Sequence, residues 1–302
     1  AWKGTDADFE WPNEDDEAAT ALQWRKDYMV ESVDAYSRPL SEIDALDVPS
    51  AAVHNPYCSA VLGIARNARF DEVAFFPCDY DDMLGTPGGD ASEDEYLDKS
   101  NGWRRGGGCE IAFPGELTKL FGNRALRVHN RDDSYSGPSK TLTGIRDRYV
   151  VDGDGNNADE PAYRFSAWVY PRNSEGISLS VVKAGGDSPG PLPLDVHTDL
   201  EVGSWQLIER VITAEQTRGM DAAETELNNM TIEVVGANDQ ADFYVQDIRF
   251  YPADALVKTF YYDYNLNVPI AFVDENNNGT YYKYNPFGRL IEHGVIEHAA
   301  AE

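Results

Sequence analysis

The chain has few cysteines, and their spacing suits no known metal or redox motif. Its 302 residues include three cysteines, Cys58, Cys78 and Cys109. Zinc ribbons and thioredoxin-type sites need CxxC pairs, which are absent, so both classes are excluded. An oxidising compartment would allow one disulfide and leave one free thiol. We expect buried, unreactive cysteines.

Basic residues are also scarce. The 25 Lys and Arg residues are outnumbered by 53 Asp and Glu residues, which gives a formal net charge of -28. A surface of this sign repels nucleic acid, so we expect no nucleic-acid partner. The acidic clusters suggest high salt or divalent cations, or, more simply, a solvated surface that keeps the protein soluble.

Long apolar runs are missing as well. No segment approaches the roughly 18 apolar residues of a membrane-spanning helix, so we expect no membrane span. The first residues, Ala1-Trp2-Lys3-Gly4-Thr5, lack the basic and apolar regions of a signal peptide. This start predicts a mature product or an excised piece.

The familiar catalytic motifs are absent. The five histidines show no HExxH spacing, and neither GxSxG nor a GxxxxGK[ST] phosphate loop occurs. We therefore expect no enzyme and assign no catalytic residue. A glycan-active hydrolase stays open as an alternative, because sequence alone cannot measure the separation of a carboxylate pair.

The chain does contain many short β-strand patterns. Runs rich in Val, Ile, Phe, Tyr and Trp alternate with polar residues and are separated by Gly, Pro, Asn and Asp clusters, and no long helical periodicity occurs. We predict an all-β fold with a jelly-roll β-sandwich over residues 68–252. The clearest predicted strands are residues 72–76, 125–128, 163–170, 177–182, 205–212, 231–235 and 243–250.

A tyrosine-rich repeat follows the predicted sandwich. Tyr261-Tyr262-Asp263-Tyr264-Asn265 returns as Tyr281-Tyr282-Lys283-Tyr284-Asn285, a period of 20 residues, which predicts two hairpin-like units. A looser copy begins at Asp34-Ala35-Tyr36. We therefore divide the chain into four parts. They are an acidic N-terminal segment (1–27), repeat-like strands (28–67), the sandwich (68–252) and repeat hairpins (253–302).

The repeat carries a family resemblance. The pattern Tyr-x-Tyr-Asn-Pro-Phe-Gly-Arg-Leu from Tyr282 to Leu290 resembles the YD repeat of RHS-type proteins. Residues 39–46, 67–75, 247–252 and 257–262 are similar to large RHS-type surface proteins of the Bacteroidota. The resemblance implies an extracellular or cell-surface fragment of a longer protein, with flanking YD-repeat-like hairpins.

Two departures from that family limit what the resemblance implies. The Asp-Pro-x-Gly cleavage signature and the toxin domain of RHS toxins are absent, which removes a toxin function, and Asn285 replaces the usual Asp. A repeat array also needs about three neighbours to bury its faces. We therefore expect the terminal strands to pair outside this chain, with neighbouring copies or with the rest of a larger parent chain.

The middle block resembles the jelly-roll domains of non-catalytic carbohydrate-binding modules. Aromatic rings in such a domain can stack on sugars. Trp168 and Trp205 lie inside alternating strands, and we expect them in the core. The candidate ligand-binding residues are Trp103, which is flanked by loop residues, together with Tyr135 and Tyr149.

One acidic loop fits a calcium ion. Asp152-Gly-Asp154-Gly-Asn156-Asn-Ala-Asp159-Glu160 places oxygen ligands at alternate positions between glycines, as Ca²⁺ requires. Asp152, Asp154, Asn156, Asp159 and Glu160 are the candidate metal ligands. The loop is not a complete EF-hand, since Asn157 replaces its glycine, and an Asx-rich hairpin turn explains the pattern equally well.

These observations favour a non-catalytic extracellular module that is structural or adhesive. Self-assembly into a filament or surface layer through the terminal strands is the leading hypothesis. A glycan-binding module of a secreted protein is the first alternative, and the hydrolase is the second.

Overall fold

We analysed a computed structural model, which describes ten ranges of the chain. Within these ranges the helical content consists of two short 3-10 turns, Phe70–Glu72 and Glu215–Thr217. The predicted all-β fold is confirmed. None of the helices within the described ranges has the length and apolarity of a membrane span. The described ranges are 28–55, 60–77, 102–104, 106–112, 120–121, 125–130, 136–152, 155–220, 229–263 and 266–296.

The strands form three larger sheets and one small hairpin. In chain order they are β1 (Tyr28–Val33), β2 (Pro39–Asp44), β3 (Pro49–His54), β4 (Val61–Arg66), β5 (Ala74–Phe76), β6 (Trp103–Arg104), β7 (Cys109–Ala112), β8 (Ala125–His129), β9 (Ser139–Leu142), β10 (Val151–Asp152), β11 (Gly155–Asn156), β12 (Pro161–Pro171), β13 (Ile177–Lys183), β14 (Gly190–Pro191), β15 (Val196–His197), β16 (Gln206–Thr213), β17 (Met230–Gly236), β18 (Asp242–Pro252), β19 (Leu256–Asp263), β20 (Val268–Val273), β21 (Gly279–Tyr284) and β22 (Leu290–Ile296).

Two six-stranded antiparallel sheets form the predicted sandwich. The central sheet has the order β16-β12-β18-β8-β7, with β5 paired to β18, and the far sheet has the order β14-β13-β17-β9-β6, with β15 paired to β13. Alternate residues of the longer strands point into the shared core, as in Phe165 and Val169 of β12 and Leu179 and Val181 of β13. The prediction of a β-sandwich is therefore confirmed.

The two terminal segments pair with each other. They form an eight-stranded antiparallel sheet of order β1-β2-β3-β4-β19-β20-β21-β22, in which β4 and β19 join the early and late segments. The sequence predicts that the terminal strands pair outside this chain. That expectation is wrong for β19, because its register with β4 runs from Leu256↔Arg66 to Thr259↔Gly63.

The eight-stranded sheet lies with one face on the central sheet. Ala51, Val53 and Leu62 on this face share a single buried core with the sandwich residues. Gly63 of β4 lies directly against the Phe75 ring of β5. A Cβ atom on Gly63 would lie 2.2 Å from the Phe75 ring. The glycine therefore lets the two sheets touch.

We expect Gly63→Val to destabilise the fold by about 1–3 kcal/mol, because the added atoms have no room unless Phe75 moves. Chemical denaturation of wild type and variant measures the difference. Ile64→Val is the matched control, since Ile64 is 41% exposed. Equal stability of the Gly63 variant and the control would show that the contact is loose.

A buried ion pair connects the two layers. The Arg249 guanidinium of β18 lies 2.7 Å from an Asp247 carboxylate oxygen, and the two side chains are 1% and 2% exposed. Thr259 of β19 accepts a hydrogen bond from Arg249 at 2.7 Å and donates one to Asp247 at 2.8 Å. Arg249 also donates to the Asn277 side chain at 3.1 Å. The network therefore spans from the sandwich to the eight-stranded sheet.

An aromatic cluster lies at the same interface, between the central sheet and the eight-stranded sheet. Phe121 packs edge-on against Trp168 of β12, with ring centroids 6.1 Å apart, and lies 5.1 Å from the Tyr261 ring of β19. Gln246 of β18 holds the backbone of this segment. Its side-chain oxygen accepts from the Leu120 and Phe121 amides at 3.1 Å each, and its side-chain nitrogen donates to the Phe121 carbonyl at 2.6 Å. Trp168 is 5% exposed, which confirms its predicted burial.

Lys140 of β9 is a charged residue paired with core residues of the sandwich. Its cross-strand partners are Ile232 and Trp103, which both belong to the core. Residues paired across antiparallel strands share a face, so the Lys140 side chain leaves the backbone on the core-facing side of the sheet. Burial lowers the pKa of its amine from 10.5 to about 8.

The pKa shift predicts a specific pH dependence. Between pH 8 and 10.5 the unfolded chain holds a proton that the folded protein has released, so the free energy of unfolding rises with pH. Lys140→Met removes this half-buried charge. We expect the variant to exceed wild type in stability at pH 7 and to show a weaker rise above pH 8, measured by urea denaturation at each pH. Parallel pH profiles would contradict the assignment.

Candidate functional site

The second face of the eight-stranded sheet points away from the sandwich. Gly63 and Thr259 point toward the central sheet, so their neighbours Ile64 and Lys258, which pair across β4 and β19, point outward. Ile64 is 41% exposed. We call this surface, which runs across strands β2 to β4 and β19 to β21, the open face.

An aromatic row crosses the open face. Phe260 of β19 pairs with Phe272 of β20, and the ring centroids lie 6.4 Å apart. The Phe272 ring in turn stacks on Tyr282 of β21 at 6.3 Å, with an angle of 25° between the ring planes. Such cross-strand contacts stabilise a sheet. All three rings are half-buried, so part of each aromatic surface is also available to a ligand.

A shallow groove of about 270 Å³ lies beside the aromatic row. Small side chains of β3, Ser50 and Ala52, form its floor, and larger residues of β2 and β4 form its walls. Ile64 of β4 is next to Lys258 on β19, so the groove and the aromatic row are parts of one surface. The lining residues are Pro39, Leu40, Glu42, Ser50, Ala51, Ala52, His54 and Ile64.

Hydrogen-bonding groups surround the apolar surface. Lys258 lies 3.4 Å from a Glu275 carboxylate oxygen, and a His54 ring nitrogen lies 2.9 Å from the Pro39 carbonyl oxygen. On the opposite face of β21 from Tyr282, Lys283 and the Tyr281 hydroxyl both donate to Glu292, at 2.9 and 2.7 Å. These donors lower the pKa of the Glu292 carboxyl. The open face thus combines ring surfaces with polar groups in reach of a ligand.

Two of the three ligand-binding residues expected from the sequence, Trp103 and Tyr149, lie away from this face. Trp103 was expected in a loop, but it belongs to β6 and is 1% exposed. Its ring stacks on Phe76 at 5.2 Å, and its N–H donates to the Phe75 carbonyl at 3.2 Å. The expectation for Trp103 is therefore corrected, because a buried ring cannot stack on a sugar. Tyr149 is half-buried beneath the Arg218 guanidinium, 4.6 Å from the ring centroid, and Tyr135 lies outside the described residues.

The predicted calcium loop is partly described. The backbone pairs Val151 with Asn156 and Asp152 with Gly155, which makes a tight hairpin. Asp154 lies outside the described residues, and Asp159 and Glu160 are exposed. Within the described ranges, no cluster of three His, Cys, Asp or Glu residues suits a metal ion. Calcium binding by this loop stays a prediction.

The raised carboxyl pKa values do not mark a common catalytic centre. Burial and the neighbouring Glu72 raise the pKa of Asp71, and burial raises that of Glu233 on the far sheet. The two acids share none of the groups that shift them. Glu72, which is also buried, accepts hydrogen bonds from Arg148 at 2.9 Å and from the Tyr163 hydroxyl at 3.0 Å. Its contacts are those of a structural ion pair.

Comparisons with known proteins give weak likenesses. No protein-family model and no curated protein matches the chain. The chain is similar to the C-terminal family 22 carbohydrate-binding module of Clostridium thermocellum Xyn10B, with 16% identity, a TM-score of 0.34, and coverage of 51% of this chain and 86% of that one. For the CBM22-1 xylan-binding domain of Paenibacillus barcinonensis Xyn10C the values are 14%, 0.33, 50% and 85%. Likenesses of this size assign no function, and the YD-repeat resemblance finds no support in them.

Proposed function

We propose that this protein is a non-catalytic glycan-binding module and that the open face of the eight-stranded sheet holds the glycan. The observation that carries the proposal is the row of half-buried rings formed by Phe260, Phe272 and Tyr282, which is continuous with the groove on β2 to β4. A sugar ring presents apolar C–H surface on its faces and hydroxyls at its rim. A row of half-buried rings with polar groups beside it is complementary to both.

The shape of the surface favours a chain rather than a single sugar. The row crosses three adjacent strands, and the groove extends the same surface over β4, β3 and β2. Strands lie about 4.8 Å apart, so six strands extend over about 25 Å. A ligand that lies across the strands can therefore contact several rings at once. We infer an extended polysaccharide segment as the occupant.

The charge of the protein favours a neutral glycan. With 53 acidic against 25 basic residues, the chain carries a net charge of -28. Long-range repulsion of this sign slows and weakens the association of polyanions, especially at low salt. Lys258 on the open face lies within 3.4 Å of Glu275, which offsets its charge. We therefore infer a neutral polysaccharide rather than an acidic one.

Binding of this kind also accounts for the adhesive role inferred from the sequence. A secreted or surface-attached protein that carries such a face would attach to polysaccharide without altering it. The separate surroundings of Asp71 and Glu233 favour this non-catalytic function over a hydrolase, which needs two carboxyl groups on either side of one bond.

A glycan array with neutral and acidic polysaccharides tests the proposal. We expect wild type to bind one or more neutral glycans and Phe272→Ser to lose about tenfold or more in affinity, because Phe272 contacts both neighbouring rings. Phe287→Ser is the matched control, since Phe287 is 87% exposed and lies outside the row. Binding only to acidic glycans, or equal loss in both variants, would contradict the proposal.

A further inference from the structure

The eight-stranded sheet ends in two edge strands within the described residues. β1 pairs with β2 and β22 pairs with β21, and no further strand pairs with either in the described part of the chain. An edge strand has a row of backbone N–H and C=O groups that can pair with another strand. Natural proteins usually protect such edges, so an unprotected edge is a candidate contact surface.

Both edges carry exposed apolar side chains. On β1, Tyr28, Met29 and Val30 are 64%, 43% and 39% exposed, and on β22, Ile291 and Val295 are each 65% exposed. Isolated surface apolar residues are common, but a concentration of them on two edge strands is typical of a contact surface.

The charged groups on these edges already have partners. Glu31 of β1 accepts a hydrogen bond from Arg69 at 2.8 Å, and Glu292 of β22 accepts one from Lys283 at 2.9 Å. A strand that approaches either edge therefore meets carboxylates whose charge is partly offset. Charged side chains are one of the usual protections against edge pairing, and these two carboxylates do not supply it. Each edge strand does have a register shift in its pairing with its neighbour, at Val30/Ser32 and at Lys283/Tyr284.

The directions of the two edge strands are compatible with each other. All seven pairings between β1 and β22 are antiparallel, so β1 and β22 run in opposite directions. When one copy of the chain is translated along the sheet, its β1 lies antiparallel to the β22 of the first copy. The outward face of the sheet then stays on the same side at the junction. Pairing between copies would therefore continue the alternation of the sheet.

We propose that copies of this protein assemble head to tail, with β22 of one copy paired to β1 of the next. The contact is heterologous, so it generates an open filament rather than a closed dimer. The inference is independent of the glycan site, because the edges and the open face are different surfaces. Each edge strand is paired by a second copy of this chain.

The sheet geometry gives approximate dimensions for such a filament. Eight strands at about 4.8 Å each predict an axial rise of about 38 Å per copy. A twist of about 20–25° between neighbouring strands predicts a rotation of about 160–200° per copy, which places successive sandwiches on alternating sides. Because each copy carries a charge of -28, screening of repulsion should make assembly stronger at high salt.

Edge-blocked variants test the proposal directly. In one variant, Met29→Lys and Val30→Lys block β1, and in another, Ile291→Lys and Val295→Lys block β22. A third variant with Leu194→Lys and Val202→Lys carries the same added charge on exposed sandwich positions. Circular dichroism confirms that each variant is folded. Light scattering after size exclusion, at 1 M salt and over a hundredfold range of protein concentration, then measures the assembly.

We expect wild type and the third variant to form species that grow with concentration, and each edge-blocked variant to need about tenfold higher concentration to associate. An equimolar mixture of the two edge-blocked variants should form 1:1 dimers and nothing larger, since only one compatible junction remains. A strictly monomeric wild type would overturn the proposal. So would dimers of the β22-blocked variant alone, because they would show symmetric pairing through β1.

Discussion

Replacing Arg249 with leucine is expected to lower the free energy of unfolding by about 3–5 kcal/mol, since it leaves a buried carboxylate without its counter-charge. Asp247 is 2% exposed and lies 2.7 Å from the guanidinium. Its remaining partner is the Thr259 hydroxyl, which donates at 2.8 Å but carries no charge. Urea denaturation followed by tryptophan fluorescence measures the loss.

Two further variants separate the ion pair from other effects. The double variant Arg249→Met with Asp247→Asn removes both charges, so we expect it to recover a large part of the loss. Asparagine suits position 247, where φ is 49°. Lys283→Met removes an exposed ion pair with Glu292 and should cost less than about 1 kcal/mol. A loss of that small size for Arg249→Leu would contradict the buried pair.

Replacing Phe121 with alanine should cost about 3–5 kcal/mol, because it removes a buried ring from the contact between the sheets. Phe121 is 1% exposed and packs on Trp168 and Tyr261. The Gln246 side chain fixes the backbone of Phe121, so the rest of the structure cannot easily collapse into the space that the ring leaves. Thermal and chemical denaturation both measure the effect.

Phe287→Ala is the control for this prediction. Phe287 is 87% exposed, so the same substitution should change stability by less than about 0.5 kcal/mol. Hydrogen exchange adds a spatial readout. In the Phe121 variant, amides of β19 and β20 should exchange faster relative to those of β13 and β17, because the eight-stranded sheet loses its support. A uniform change over all strands would contradict an interface role for this ring.

The strands of the sandwich were predictable because each carries its own signal. Residues 163–170, 177–182 and 243–250 alternate apolar and polar side chains, and they lie within β12, β13 and β18. Alternation of side chains between the two faces of a strand imposes this period of two locally, although β12 and β18 are buried on both faces along much of their length. A predicted strand at 72–76 is shorter in the structure, because Phe70–Glu72 forms a 3-10 turn in which buried Glu72 binds Arg148.

The pairing of the two chain ends could not be read from the sequence. β4 and β19 are separated by about two hundred residues, and nothing local to either strand specifies the other. The prediction that Trp103 lies in a loop was wrong for a related reason. Its strand β6 has two residues and follows Gly102, so it has no periodicity, and its burial depends on contacts with Phe75 and Phe76.

The aromatic row was visible in part. The 20-residue repeat aligns Tyr262 with Tyr282, and the structure places the second copy two strands away from the first in the same sheet. Strands two positions apart in an antiparallel sheet run in the same direction, so equivalent residues of the two repeat copies point to the same face. The sequence could not show Phe272 as the link between the copies, because it belongs to the intervening strand β20.

Hydroxyl-radical footprinting with the neutral glycan that binds best on the array tests whether the open face holds the glycan. We expect the glycan to reduce labelling of Phe260, Phe272 and Tyr282, while labelling of Tyr36 and Phe287, which are 72% and 87% exposed, stays unchanged. Protection confined to the far sheet or to the loops of the sandwich would contradict the account, as would an array on which no neutral glycan binds.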